Sequence, residues 1–159
     1  MDDAEVIFHG YARDPEVTRF LTWTPHLSLA DTRAFLRGCV DDWRGGSRFP
    51  WAITLGFDDV SIGMIDLRPA GHMAEVGYVL AREEWGKGYM TEALTAVVEA
   101  ALALPAIYRV SAICDVDNLA SARVMEKAGM TREGVLKRFL LHPAMGQAPR
   151  DAFCYAKTR

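Results

Sequence analysis

The chain has 159 residues, of which 50% are hydrophobic and 25% charged, with a formal net charge of −3. This length suits one domain with a sizeable core, and the scattered charges speak against a basic stripe that tracks nucleic acid. Three widely separated cysteines, Cys39, Cys114 and Cys154, speak against a disulfide framework and for reduced thiols in the cytoplasm.

The acidic start, Met1 to Glu5, is unlike the basic opening of a signal peptide. Asp14-Pro15-Glu16 predicts an N-cap with proline at the first helical position, opening a short helix through Phe20. Ser28 with Asp31 predicts a capping box, and the following helix is expected to bury Leu36, Cys39, Val40 and Trp43 before stopping at Gly45-Gly46. Pro50 to Phe57 and Val60 to Leu67 read as strands joined by a turn at Asp58-Asp59. A third strand, Met73 to Leu80, places Val76, Tyr78 and Leu80 on one face and Glu75, Gly77 and Val79 on the other.

From Lys87 the period becomes helical, with Met90, Leu94, Val97, Val98, Ala101 and Leu102 on one face and Pro105 ending the helix. The longest apolar stretch, Ala93 to Leu104, is interrupted by Thr95 and Glu99 and is too short to span a bilayer, so no membrane partner is expected. Ile107 to Cys114 reads as a strand, with Cys114 a small buried hydrophobe. Asn118 to Ala128 is a helix stopped by Gly129, Met130 to Phe139 a strand, Leu141 to Arg150 a loop, and Asp151 to Lys157 a closing strand. The fold class is therefore α/β (α+β), a mixed sheet with helices over its faces.

Chemistry concentrates where the third strand runs through Trp85-Gly86-Lys87-Gly88 into the helix. Glycines let a backbone approach a ligand closely, and the first helical amides, aided by the helix dipole, can hold a pyrophosphate. Two common phosphate loops fit poorly: Lys87 is followed by Gly88 rather than Ser or Thr, and Thr91 stands where a dinucleotide fingerprint has its third glycine. Alone, Gly-Lys-Gly reads equally well as a turn into a core helix.

Its surroundings add to the signal. Trp85-Gly86-Lys87-Gly88-Tyr89-Met90-Thr91-Glu92-Ala93-Leu94, then Asn118, Ser121, Glu126-Lys127 and Gly129, then Asp151 and Tyr155, together resemble the GNAT superfamily of acyl-CoA N-acyltransferases. The likeness is to the branch that acetylates N-terminal alanines of ribosomal proteins, and it runs from about Asp14 to Tyr155. It implies one acyl-CoA N-acyltransferase domain over residues 1–159, with a mostly antiparallel sheet that splays at the cofactor site. The co-substrate implied is acetyl-CoA. Its pantetheine arm would lie along Tyr78, Val79 and Leu80, with an amide near Val79 or Leu80 polarising the thioester. Trp85, Gly86, Lys87, Gly88, Tyr89, Met90 and Thr91 would hold the pyrophosphate, and Asn118 the pantetheine or nearby backbone. Ser121 would serve as acid or sulfur-binding group, and Glu75 as general base through a water.

The sequence departs from the family pattern at three places. Met125 stands where many members have a tyrosine acid, seven residues after Asn118, and Glu83 replaces the usual Gln or Arg that leads the phosphate loop. No strand segment precedes the first helix, which leaves a sheet edge open and favours a homodimer or instability. Trp23, Trp51 and His142, with Pro25 and Phe49, are candidate walls for the amine acceptor, although packing roles suit them as well. The four histidines show no metal-ligand spacing, so no metal is expected. The acceptor is read as a protein N-terminus; a small amine (antibiotic, polyamine or amino acid) and a non-catalytic acyl-CoA sensor are the alternatives.

Overall fold

The computed structural model describes residues 3–56 and 58–159. The chain begins with α1 (Asp3–Ile7), which runs into a π turn at Phe8–Ala12. Ala4, Ile7 and Tyr11 are buried, and their spacing of three and four residues places them on one helical face. In α2 (Pro15–Thr18) the Asp14 carboxylate accepts the Glu16 amide at 2.8 Å. In α3 (Leu29–Gly45) the Ser28 hydroxyl accepts from the Asp31 amide while the Asp31 carboxylate accepts from the Ser28 amide at 2.9 Å, as the capping box predicts. Gly46, at φ 71°, ends this helix in the left-handed conformation.

Six strands form one sheet among the described residues: β1 (Phe49–Leu55), β2 (Asp58–Ala70), β3 (Met73–Leu80), β4 (Arg109–Asp115), β5 (Thr131–Leu140) and β6 (Arg150–Thr158). Their order is β1-β2-β3-β4-β6-β5, and only β3 and β4 run parallel. The turn expected at Asp58-Asp59 lies earlier, since Asp58 already pairs with Leu55; the connection passes Gly56 and Phe57, and Phe57 lies outside the described residues. No described strand precedes α1, and β1 is the sheet edge. That edge explains why Val40 and Trp43 of α3 stay half-exposed while Cys39 is buried: beyond β1 no further strand covers the helix flank.

On one face of the sheet, α4 (Tyr89–Ala103) and α5 (Leu119–Lys127) bury Leu94, Val98, Ala122 and Met125 against Val76, Val110 and Tyr155. On the other, α1 and α3 cover Met64 and Ala81 with Ile7, Tyr11 and Cys39. The sheet is not continuous between these layers. β3 and β4 pair only from Met73 to Glu75 against Arg109 to Ser111. Beyond that point β3 keeps its partner β2 as far as Leu80, and β4 keeps β6 as far as Asp115. Each half-sheet stays whole while a gap opens between them. It opens toward the ends of β3 and β4, where the chain turns into α4 and α5.

Candidate active site

The gap presents backbone as well as side chains. A Cβ on Gly63 would stand 2.5 Å from the Val79 carbonyl oxygen, so that carbonyl points at β2; the Ala81 amide does the same, donating to Ile62 O at 2.8 Å. Peptide groups alternate along a strand, so those of Tyr78 and Leu80 turn toward the gap. The Leu80 carbonyl there accepts the Trp85 indole N–H at 2.9 Å, which ties the following loop to the strand. Trp85 thus spends its polar atom within the protein.

Gly86 and Gly88 sit at φ 78° and 93°, a region that side-chain-bearing residues enter only with strain. Nothing lies within 4 Å of a Cβ built on either, so glycine here keeps open the space above the helix. Gly88 caps α4 without a side chain, and the amides of Tyr89, Met90 and Thr91 therefore have no intrahelical acceptor. Lys87 pairs with Glu84 at 3.0 Å, a hydrogen bond that raises its ammonium above the ordinary lysine value.

Across the gap, the Asn118 carboxamide oxygen caps α5 by accepting the Ser121 amide at 3.1 Å. The Ser121 hydroxyl lies 2.7 Å from the Tyr78 hydroxyl, which reaches it from β3. Burial pushes the Tyr78 phenol far above its usual value, against the lowering effect of the Ser121 bond. Burial likewise pushes the Cys114 thiol up to about 11, with Ser121 again acting in the opposite direction. Met125, which stands where the family pattern has a tyrosine, is wholly buried in the core.

Glu75 occupies the last paired position of β3, at the apex of the gap, on the face opposite Tyr78. Its carboxylate pairs with Arg68 at 3.0 Å, and Arg68 also meets Asp66 at 3.2 Å, which pairs in turn with Arg48 at 3.2 Å. Arg68 lies flat across β3: a Cβ on Gly77 would stand 2.8 Å from its guanidinium.

The three aromatic candidates for an acceptor wall separate. Trp23 stacks on Phe35, with ring centroids 6.5 Å apart, and packs beside Val79 on the α3 side of the sheet. Trp51 sits on edge strand β1 against Trp43, centroids 5.3 Å apart, two strands from the gap. His142 is only 1% exposed. Its Nδ1 lies 3.2 Å from Leu21 O, a bond that ties the loop after β5 inward, while its Nε2 lies 3.3 Å from Asp115 without a hydrogen bond; the ring is packed inside rather than presented to a ligand.

Asp115, also wholly buried, receives two bonds from Arg150, at 2.5 and 3.0 Å. Burial pushes its carboxyl up, but Arg150 and the Asp117 amide outweigh that and hold it below the ordinary carboxylate range. Asp115 ends β4, so this knot fixes one wall of the gap. Neither Asp115 nor Arg150 carries a sequence signal, because the pair is 35 residues apart.

The acetyltransferase (GNAT) domain model matches residues 1–131. The chain belongs to the GNAT acetyltransferase family. It is 34% identical over 132 residues to the uncharacterized N-acetyltransferase YnaD of Bacillus subtilis (strain 168), covering 82% of this chain and 75% of that one. Among solved structures it is similar to a GNAT-family acetyltransferase from Bacillus anthracis, with TM-score 0.82, 30% identity and coverage of 98% and 89%. It shares its fold with RimL, a ribosomal alpha-N-protein acetyltransferase in complex with coenzyme A, at TM-score 0.84, 22% identity and coverage of 99% and 90%.

As a GNAT domain, the chain is an acetyl-CoA-dependent N-acetyltransferase with acetyl-CoA as co-substrate. The geometry suits that ligand. A flat arm can lie in the gap against the Tyr78 and Leu80 peptide groups as an added strand would. The open glycine turn and the free amides of α4 suit the two phosphates, each charged bond being worth about 1.5–3 kcal/mol. No described group of histidine, cysteine, aspartate and glutamate could hold a metal ion, and no described helix is long and apolar enough to cross a membrane.

Proposed function

We propose that this enzyme transfers acetyl from acetyl-CoA to the α-amine of a protein N-terminus, with Ser121 and Glu75 as its polar working groups. The observation that carries the acceptor class is the pairing of the carboxylates on the face opposite α4 and α5. Asp66 and Glu75 there are both held by Arg48 and Arg68, and Arg48 also meets Asp42 at 3.6 Å. Each carboxylate of this network already has an arginine, so the face offers no cluster of free carboxylates to a polyamine or aminoglycoside. An α-amine, with a pKa near 8, is partly neutral at pH 7, whereas a lysine amine near 10.4 needs more assistance. The shared fold with RimL supports the same acceptor class.

In this reading the amine nitrogen attacks the thioester carbonyl, whose oxygen is stabilised by the Leu80 amide. Glu75 takes the surplus proton through a water, using the carboxylate oxygen that Arg68 leaves free. Ser121, at the start of α5, binds the departing sulfur. Initial rates with acetyl-CoA and short peptides bearing free N-termini are expected to exceed those with N-blocked lysine peptides, spermidine or free amino acids by at least tenfold in kcat/KM. A small amine outrunning every peptide would sink the acceptor assignment.

Ser121→Ala is expected to lower kcat by roughly 10²-fold, the lower range for a positioned polar group, with acetyl-CoA affinity within about twofold. Steady-state kinetics beside calorimetric binding measure both. Unchanged turnover would remove Ser121 from the reaction.

A further inference from the structure

The core position of Met125 leaves the gap without the phenol that many GNAT enzymes place on this helix. A phenol is nonetheless present, delivered from the opposite wall. Tyr78 crosses from the splayed half of β3, and its hydroxyl stands 2.7 Å from Ser121 Oγ and 3.3 Å from Ser121 O, bridging strand and helix over 43 residues of sequence. Tyr78 supplies both of the described side-chain hydrogen bonds that span the gap from β3 to α5.

We propose that Tyr78 is a positioning residue for the thiolate-leaving step: its O–H fixes the Ser121 hydroxyl so that the serine donates toward the sulfur in the gap. This rests on the reading of Ser121 given above. A serine hydroxyl has one proton and two lone pairs and rotates freely about its C–O bond. With Tyr78 donating into one lone pair at 2.7 Å, the serine proton is driven to another acceptor. Two arrangements of the pair are open. With nothing in the gap, Ser121 can donate back to Tyr78, whose own proton then has the Ser121 carbonyl as its acceptor. A negative sulfur beside Ser121 favours the reverse order, Tyr78 to Ser121 to sulfur, in which both bonds are strengthened by the charge.

The step balances without proton loss from either hydroxyl. The tetrahedral adduct collapses, the C–S electron pair leaves on sulfur as thiolate, and the Ser121 O–H stabilises it. The surplus amine proton departs on the opposite face. The thiolate is then free to be protonated by solvent on release. Tyr78 stays a phenol throughout, consistent with the strong upward push that burial gives it. No atom of Tyr78 touches the substrate in this scheme, so its effect is exerted through Ser121.

The test is Tyr78→Phe, which removes one oxygen and keeps the ring. Calorimetric affinities for CoA and for desulfo-CoA, which lacks the sulfur, are measured for the wild type, Tyr78→Phe, Ser121→Ala and the double variant, beside kcat and KM. The wild type is expected to prefer CoA over desulfo-CoA. Tyr78→Phe should lose most of that preference, with kcat down by ten- to a hundredfold and KM for acetyl-CoA within about twofold. The double variant should be no slower than Ser121→Ala. A merely structural tyrosine would weaken both ligands alike. Retention of the preference and of kcat in Tyr78→Phe, multiplicative losses in the double variant, or a wild type indifferent to the sulfur would each overturn the proposal. A wild type that binds both ligands but does not turn over would sink the acyl-transfer reading instead, and the affinity ratios would still judge Tyr78. Should Tyr78→Phe not fold, the wild-type ratio and its response to Ser121→Ala decide the sulfur contact, and 3-fluorotyrosine at position 78, which keeps the hydroxyl, must preserve the ratio.

Discussion

Gly88→Trp is expected to lower acetyl-CoA affinity by at least a hundredfold while the protein remains folded. Gly88 stands at φ 93°, ψ −11°, immediately before α4, with no protein atom within 4 Å of a Cβ built there. A Cβ at this point meets no part of the fold, and the indole it carries is expected to occupy the space over the free amides of Tyr89, Met90 and Thr91. The backbone strain of a side chain at this φ is about 1–2 kcal/mol, which a folded domain withstands. Losing two amide-to-phosphate bonds removes about 3–6 kcal/mol of binding, a factor of roughly 10² to 10⁴. Calorimetric titration, with thermal melting to check the fold, measures the effect. Gly88→Ala separates strain from obstruction, because it carries the same φ with little bulk and should weaken binding far less. Affinity within threefold of wild type in Gly88→Trp would mean that the phosphates lie elsewhere.

Asp115→Ala carries the largest expected loss of stability. Its carboxylate is fully buried between Arg150 and His142. A buried ion pair adds little over an apolar replacement of the whole group, and removing one partner costs about 3–5 kcal/mol when the other is left fully buried. Arg150 keeps Asp117 and some contact with water, so a loss of about 3 kcal/mol is expected. The same carboxyl makes stability acid-sensitive. Its folded pKa is held below its unfolded value, so its contribution is complete above about pH 4 and is lost as pH falls through the folded value. Urea unfolding at pH 7 should show the full deficit in the variant, and the gap between variant and wild type should narrow toward pH 3. A deficit under 1 kcal/mol, or the same gap at both pH values, would show that the knot does not anchor β4.

Much of the architecture was legible because its signals are local. Asp14 and Ser28 sit within three residues of the amides they cap. The change from alternating to helical spacing at Gly86-Lys87-Gly88 marked the loop, and its glycines took the left-handed angles that their position demands. The α1 helix carries too weak a signal of its own: Ala4, Ile7 and Tyr11 keep helical spacing, but so short a segment shows barely two turns of the pattern. The burial of His142 has no local signal either. An imidazole in a polar loop looks like a ligand wall until its buried partner Asp115 is known.

Near-neighbour rules were enough for the order of the elements from α2 onward, for the glycine turn before α4 and for the family, all consequences of side-chain pattern, capping and backbone freedom over a few residues. Tertiary structure alone decided the gap between β3 and β4, the meeting of Tyr78 with Ser121, and the Asp115–Arg150–His142 knot. Each of these joins residues at least 27 positions apart. Such contacts arise only when separate half-sheets and helices settle against one core, and no short-range rule of spacing encodes which distant side chains that packing will bring within hydrogen-bond reach.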